Sequence, residues 1–210
     1  MSMEATSGVA PFARTCHAAH LLGRVCNHVN EHSTSSDVEF HFQEASSISR
    51  ALQALIAMLH SESLQAGSRS HLYFGARGLA YAALNTLYDV HACIEQDEIE
   101  SIGGNRGMRL DLQQLAIDGY KQVTAYIAAF GAEIEQYAAS DQLDKVPPFV
   151  CFSLHTAAGT FAWYARENGA EEHLRALDDL RRALEVLSKK WEVAGTCRRG
   201  VTRPIKDRTF

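Results

Sequence analysis

Apolar residues recur at spacings of three and four along most of the chain, the pattern of amphipathic helices in a bundle. The strongest stripe contains Leu174, Leu177, Leu180, Leu184, Leu187 and Trp191. Another contains Ile48, Leu52, Leu55, Ile56 and Leu59. The pattern predicts helices over residues 12–32, 44–64, 71–99, 110–139, 149–167 and 170–193. No alternating run is flanked by hairpin turns, so the sequence predicts an all-α fold, a single irregular bundle of about six helices.

The helix over 149–167 is the most hydrophobic, and it is apolar on most faces. Such a helix is normally central in a bundle. Its aromatic residues could also line a ligand pocket, although they would serve equally well as core residues. These candidate pocket walls are Phe149, Phe152, Phe161, Trp163 and Tyr164. We further expect residues 1–11 to be a disordered N-terminus, 12–196 to be one helical domain, and 197–210 to be a basic C-terminal tail.

Composition excludes several classes of protein. The 210 residues are 46% hydrophobic and 21% charged, which is close to a globular average. A net charge of −5 argues against a dedicated nucleic-acid binder. Residues 1–14 contain no signal-peptide hydrophobic region, and no run of 18 apolar residues could span a membrane. The five cysteines have no C-x-x-C spacing, which suits a reducing compartment.

Charge is unevenly distributed along the chain. Residues 175–210 contain 10 Lys and Arg against 5 Asp and Glu, whereas the remainder of the chain is acidic. One interpretation is a nuclear-import or phosphate-binding segment. The other, which we favour, is a basic helix end that complements the helix dipole and leads into a solvated tail.

Histidine and cysteine concentrate between residues 16 and 41, which raises the possibility of a metal site. The candidate ligands are Cys16, His20, Cys26, His28, His32 and His41. Zinc sites usually need four convergent ligands, and the spacing here matches no zinc-finger pattern. We therefore interpret the cysteines as small core residues and the histidines as surface residues, and we predict no metal or other cofactor.

Other chemical candidates are weaker. Cys151 and His155 share a helix face and could form a nucleophile pair, but a cysteine in so apolar a helix should be buried and inert. The glycine-rich segment 103–107 lacks the spacing of a phosphate-binding loop. The acidic residues that could pair are Glu95, Asp97, Glu98, Glu100, Asp178 and Asp179, and we interpret them as solvated faces. The sequence thus predicts no catalytic, cofactor-binding, metal-binding or DNA-binding residue, and no enzyme.

The order of several segments is more informative than any single motif. The run A-H-L-L-G-R-V-C-N-H-V at 19–29 resembles a helix of the fungal-specific regulatory domain in zinc-binuclear-cluster transcription factors. The run I-S-R-A-L-Q-A-L at 48–55 is similar to the next helix of that family. Pro147–Pro148 with the apolar helix after it, and then the leucine stripe ending at Trp191, resemble the closing part of the domain. The resemblance covers roughly residues 12–196.

The resemblance implies a non-catalytic regulatory domain of a nuclear transcription regulator, controlling for example a biosynthetic gene cluster. It implies protein partners, such as a full-length transcription factor or a second copy of the chain, and a small-molecule effector. The six-cysteine zinc cluster that reads DNA in the family has no counterpart here, so we expect a truncated form with no specific DNA contact of its own and no membrane association. The alternatives are a small cluster-encoded enzyme on a helical bundle and a plain helical adaptor. A nuclear location favours the regulator, and a diffuse cytosolic one the adaptor.

Overall fold

The computed structural model describes residues 10–31, 38–92, 106–168 and 170–202, and these ranges contain helices and no strand. The predicted all-α bundle is confirmed. The α-helices are α1 (Pro11–Glu31), α2 (Val38–Ala66), α3 (Phe74–Ala92), α4 (Arg106–Ala139), α5 (Val150–Asn168), α6 (Glu171–Ser188) and α7 (Glu192–Thr202). Two 3₁₀ segments, Gly67–Tyr73 and Leu143–Lys145, connect α2 to α3 and α4 to α5.

The most deeply buried helix of the bundle is α3, which is on average also slightly more hydrophobic than α5. Helix α3 packs against α1, α2, α4 and α5, and 14 of its 19 residues are buried. Many of these residues are glycine or alanine, so neighbouring helices can approach on every side. Helix α5 also packs against four helices, α3, α4, α6 and α7, but its bulky aromatic residues lie partly on the surface.

Two close approaches fix the position of α3. A Cβ atom added to Gly78 would lie 3.0 Å from the Cα atom of Val150 and 3.1 Å from the carbonyl oxygen of Phe149. Helix α5 therefore begins against the backbone of α3. On another side, a Cβ atom at Gly119 of α4 would lie 2.4 Å from the ring of Tyr88. Glycine is needed at both positions because no side chain fits there.

The stripe on α2 is confirmed, because Ile48, Leu52, Leu55, Ile56 and Leu59 are all buried. Helix α2 nevertheless begins at Val38, six residues before the predicted start. His41 continues the buried stripe by one further turn, followed by Ala45 and Ile48. Because histidine is not an apolar residue, the apolar periodicity does not reveal that this first turn belongs to α2.

The apolar face that the sequence predicts for α1 is partly wrong. Its apolar positions at helical spacing are Phe12, Ala19, Leu22, Val25, Cys26 and Val29. Phe12 is 78% exposed, whereas Arg14, Ala18, Val25 and His28 are buried. Arg14 is tolerated there because its guanidinium group forms an ion pair with Glu62 of α2, with Nε 3.0 Å from Oε2. The buried side of the first turn of α1 thus carries an arginine with a carboxylate partner, whereas the apolar residue that periodicity placed there, Phe12, is exposed.

Most of the leucine stripe lies in the core of the bundle, but its first residue, Leu174, is exposed. Leu177, Leu180, Leu184 and Leu187 are buried. Helix α6 ends at Ser188, and Trp191 lies in the connection to α7, where its indole N–H donates to the carbonyl oxygen of Val146 over 2.9 Å. The predicted single helix over 170–193 is therefore two helices.

The ends of the predicted domain are only partly described. Helix α7 extends to Thr202, so residues 197–202, which we assigned to a tail, are helical. Pro11 is the first residue of α1. Residues 1–9 and 203–210 lie outside the described ranges, as does the predicted helical segment 93–99.

The contact between Gly119 and Tyr88 yields a stability prediction. The Tyr88 hydroxyl hydrogen-bonds with Ser49 and Gln53, at 2.8 and 2.9 Å, so the ring cannot move freely. Overpacking typically costs about 1–3 kcal/mol, which exceeds the gain of about 1 kcal/mol that alanine brings to a helix. Gly119→Ala should therefore lower the free energy of unfolding, measured in urea, by up to about 2 kcal/mol.

Gly23→Ala is the matched control, because a Cβ atom at this exposed position in α1 would meet nothing within 4 Å. It should raise the free energy of unfolding by about 0.5–1 kcal/mol. Equal effects of the two substitutions would contradict the described packing of Tyr88.

Candidate functional site

The structure separates the residues of the predicted His/Cys group into two sets. Cys16, His20 and Cys26 lie on the exposed side of α1, so they do not converge with the others. His28 and His41 are buried, with ring centroids 5.5 Å apart. Our assignment of the cysteines to the core was therefore wrong, as was the assignment of these two histidines to the surface. His32 lies outside the described residues.

Two residues that sequence reasoning missed complete this cluster. The Nδ1 atom of His28 lies 2.8 Å from Oε2 of Glu44, and its Nε2 atom lies 3.0 Å from Nε2 of His91. Glu44 follows His41 by three positions on α2, which places both on one face of the helix. That H-x-x-E spacing was visible in the sequence, but it was not singled out. The 63 residues between His28 and His91 left no local signal.

The resulting cluster, which we call the histidine cluster, consists of His28, His41, Glu44 and His91. It joins the end of α1 to the start of α2 and the last turn of α3. One potential ligand atom from each of His28, His41 and Glu44 lies within 4.8 Å of the other two. Three of the four residues are buried, and the side chain of Glu44 is about one-quarter exposed. Imidazole and carboxylate groups held this close can share a proton or a metal ion.

Cys151 and His155 do not form an activated nucleophile. Cys151 is 1% exposed in the core. Burial raises the pKa of its thiol to about 12, with a further contribution from nearby Cys197. A thiol with so high a pKa is almost entirely protonated at neutral pH and therefore weakly nucleophilic.

Three of the five aromatic residues proposed as pocket walls lie at the surface of the described structure. Phe149, Phe152 and Trp163 are 50%, 49% and 45% exposed. Phe161 and Tyr164 are partly buried, and the Tyr164 ring stacks on His173 of α6 at 5.1 Å. A separate open groove between α2 and α4 is lined mainly by polar residues, including Gln53, Asp111, Gln114, Asp118 and Lys121.

The exposed aromatic residues follow a regular spacing. Phe149, Phe152, Thr156, Gly159 and Trp163 are separated by 3, 4, 3 and 4 positions, and none of them is fully buried. We call this set the aromatic stripe. The opposite face of α5 contains Val150, Leu154, Ala157 and Ala158, which are buried in the core. The helix therefore has two apolar faces, and periodicity alone could not assign one of them to solvent.

Buried polar groups elsewhere pair across helices. Arg77 of α3 donates to Glu133 of α4 over 2.7 Å, and its guanidinium lies 4.4 Å from the ring centroid of Phe130. Tyr120 donates to Asp89 over 2.9 Å and accepts from Thr160 over 2.7 Å. Burial raises the pKa of the Tyr120 phenol, so it remains a donor at neutral pH. These networks connect α3, α4 and α5 and require no ligand.

The acidic candidates on α6 lie on a solvated face of the helix. Asp178 and Asp179 are exposed and pair with Arg181 and Arg182 on the same helix, which confirms their interpretation as a solvated face. The acidic residues at 95–100 and most of the glycine-rich segment 103–107 lie outside the described ranges. Gly107 is exposed in the first turn of α4.

Comparisons with protein-family models, curated proteins and solved structures give no match to this chain. Among the described residues, no helix is long and apolar enough to cross a membrane. The geometry of the histidine cluster and of the aromatic stripe therefore provides the structural basis for assigning function.

The burial of Cys151 makes a prediction about cysteine reactivity. In the folded protein a small alkylating reagent should modify exposed Cys16 and Cys26 well before Cys151, because burial shields the Cys151 sulfur and raises the pKa of its thiol. Peptide-level mass spectrometry after short labelling measures this order. In denaturant all three should react at similar rates. Labelling of native Cys151 as fast as Cys16 would revive the nucleophile hypothesis.

Proposed function

We propose that this chain is the helical regulatory domain of a nuclear transcription regulator, which binds protein partners and has neither catalytic activity nor a DNA reader of its own. The sequence resemblance to the fungal regulatory domain is the starting point. The structure supports it because the similar segments, spread over residues 19–196, form helices α1, α2, α5, α6 and the start of α7, and all of these contribute to one core. The segments that carry the resemblance therefore belong to one folded unit.

The aromatic stripe supports a role in protein binding. Three large aromatic side chains that are each about half exposed form an uncommon surface for a helix already packed in a core. Their 3, 4, 3, 4 spacing matches the seam of a helix that packs against another helix. The occupant that fits this spacing is an amphipathic helix of a partner protein, with its own apolar residues at i, i+3 and i+7.

This interface can be tested in cells with the chain fused to an unrelated DNA-binding module upstream of a reporter gene. Phe152→Glu and Trp163→Glu should each bring the reporter signal close to that of the DNA-binding module alone. Large aromatic residues dominate binding energy at interfaces, and losing about 1.4 kcal/mol weakens binding about tenfold. Neither substitution removes a fully buried side chain, so the fold should persist.

Leu64→Glu is the matched control, because Leu64 is an 83% exposed apolar residue near the end of α2, outside the stripe. It should leave the reporter signal unchanged. Circular dichroism of all three purified variants checks that they fold. A reporter signal that survives both stripe substitutions, or that falls equally with Leu64→Glu, would reject the stripe as the partner surface.

The proposal also predicts weak, nonspecific behaviour toward DNA. The purified 210-residue chain should show no sequence preference in fluorescence anisotropy with a pool of duplexes, and any binding should disappear as salt is raised. Tight, sequence-specific binding at physiological salt would overturn it. A fluorescent fusion in the native cell should be enriched in the nucleus, whereas a diffuse cytosolic signal would favour the adaptor alternative.

A further inference from the structure

We propose that the histidine cluster is a binding site for one divalent transition-metal ion, with His28 Nδ1, His41 and Glu44 as ligands and His91 as a positioning residue. The inference stands on the geometry of these four residues and is independent of the proposed role in transcription.

The distances within the cluster are close to those between ligands of a common ion. The separation of 2.8 Å between His28 Nδ1 and Glu44 Oε2 is that of a hydrogen bond. The two atoms would need to move apart by only about 0.5–0.8 Å, because tetrahedral ligands with metal–ligand bonds of about 2.0–2.2 Å lie about 3.3–3.6 Å from each other. One nitrogen of His41 lies within 4.8 Å of a potential ligand atom of His28 and of one of Glu44. Small side-chain rotations would bring it to bonding distance, because His41 and Glu44 come from the same face of α2.

The donor set defines the class of ion. Two imidazole nitrogens and one carboxylate oxygen suit zinc and similar first-row divalent ions, whereas calcium and magnesium prefer oxygen ligands alone. Three protein ligands leave at least one position for water or another molecule. The partial exposure of Glu44 provides a route by which the ion can enter an otherwise buried site.

His91 can hold the ligand His28 in place by a hydrogen bond without binding the ion itself, and we call it the outer partner of His28. When Nδ1 of His28 binds a metal ion, the proton of the neutral imidazole resides on Nε2. That N–H can then donate to Nε2 of His91, which lies 3.0 Å away. Such a hydrogen bond from the second ring nitrogen is the usual way in which a metal-bound histidine is oriented. The orientation requires α3, whose last turn carries His91.

A metal ion bound at this site would cross-link α1 and α2 through their side chains. The ligands come from the last turn of α1 and the first two turns of α2, and they are brought together only when these helices pack. An ion that binds the folded chain and not the unfolded one stabilises it in proportion to its free concentration. Metal binding at this site should therefore be visible as a rise in the thermal unfolding midpoint.

The test uses the full chain, stripped of metal with a chelator and titrated with Zn²⁺ and with Co²⁺. Calorimetry should give one Zn²⁺ per chain, the visible absorption of Co²⁺ should indicate nitrogen ligation, and the unfolding midpoint should rise. Glu44→Gln is the most informative variant, because it removes the charge of the proposed ligand and keeps the shape of a partly exposed side chain. It should abolish or strongly weaken binding without loss of fold.

His41→Ala should also lose binding, and His91→Ala should weaken it about 10–100-fold, the usual effect of removing an outer partner. His20→Ala is the matched control, because this exposed histidine lies on α1 outside the cluster. Its Zn²⁺ affinity should equal that of the unmodified chain.

Four outcomes would overturn the assignment. The first is the absence of stoichiometric Zn²⁺ or Co²⁺ binding to the folded chain. The second is full affinity in a folded Glu44→Gln variant. The third is loss of affinity in His20→Ala, which would indicate adventitious binding to surface histidines. A shift of the unfolding midpoint that is the same in wild type and Glu44→Gln would likewise reject the site.

Discussion

The close approach of four helices to α3 is the constraint on which the rest of this structure depends. Small residues along α3 let its backbone come near its neighbours, and Gly78 brings it against the first residues of α5. Close packing of this kind gains dispersion energy over many atoms but tolerates little change in volume. The positions of α1, α2, α4 and α5 are therefore set relative to one another through α3, including the residues of both candidate sites.

Polar residues on α3 add specificity to this packing. Arg77 pairs with α4, Asp89 accepts from Tyr120, and His91 meets His28 of α1. A buried charge or imidazole is costly unless its partner is in place, so each pair penalises a wrong rotation of α3 or a wrong neighbour. Apolar contacts alone would allow several registers between alanine-rich helices.

Sequence analysis predicted the helices well, because their stripes repeat over several turns, but it predicted helix faces less well. On α1 it chose Phe12 over Arg14, whose burial depends on Glu62, 48 residues away. On α5 it could not distinguish the buried face from the aromatic stripe, because both are apolar. The histidine cluster illustrates the same limit: His28 and His41 were listed for their chemistry, but their convergence with Glu44 and His91 depends on the packing of three helices. Local periodicity carries no information about such long-range pairs.

The two candidate sites are best treated as thermodynamically separate. His91 at the end of α3 lies 13 residues from Gly78, a distance of about 20 Å along the helix axis. A ligand at one site can influence the other only if α3 has two arrangements that the ligand distinguishes. The contacts of Gly78 with the α5 backbone leave no room for α3 to slide toward that helix. Metal binding at the histidine cluster should therefore stabilise the junction of α1 and α2 and leave the aromatic stripe unchanged. A protein partner should then bind the stripe with the same affinity whether or not an ion is present.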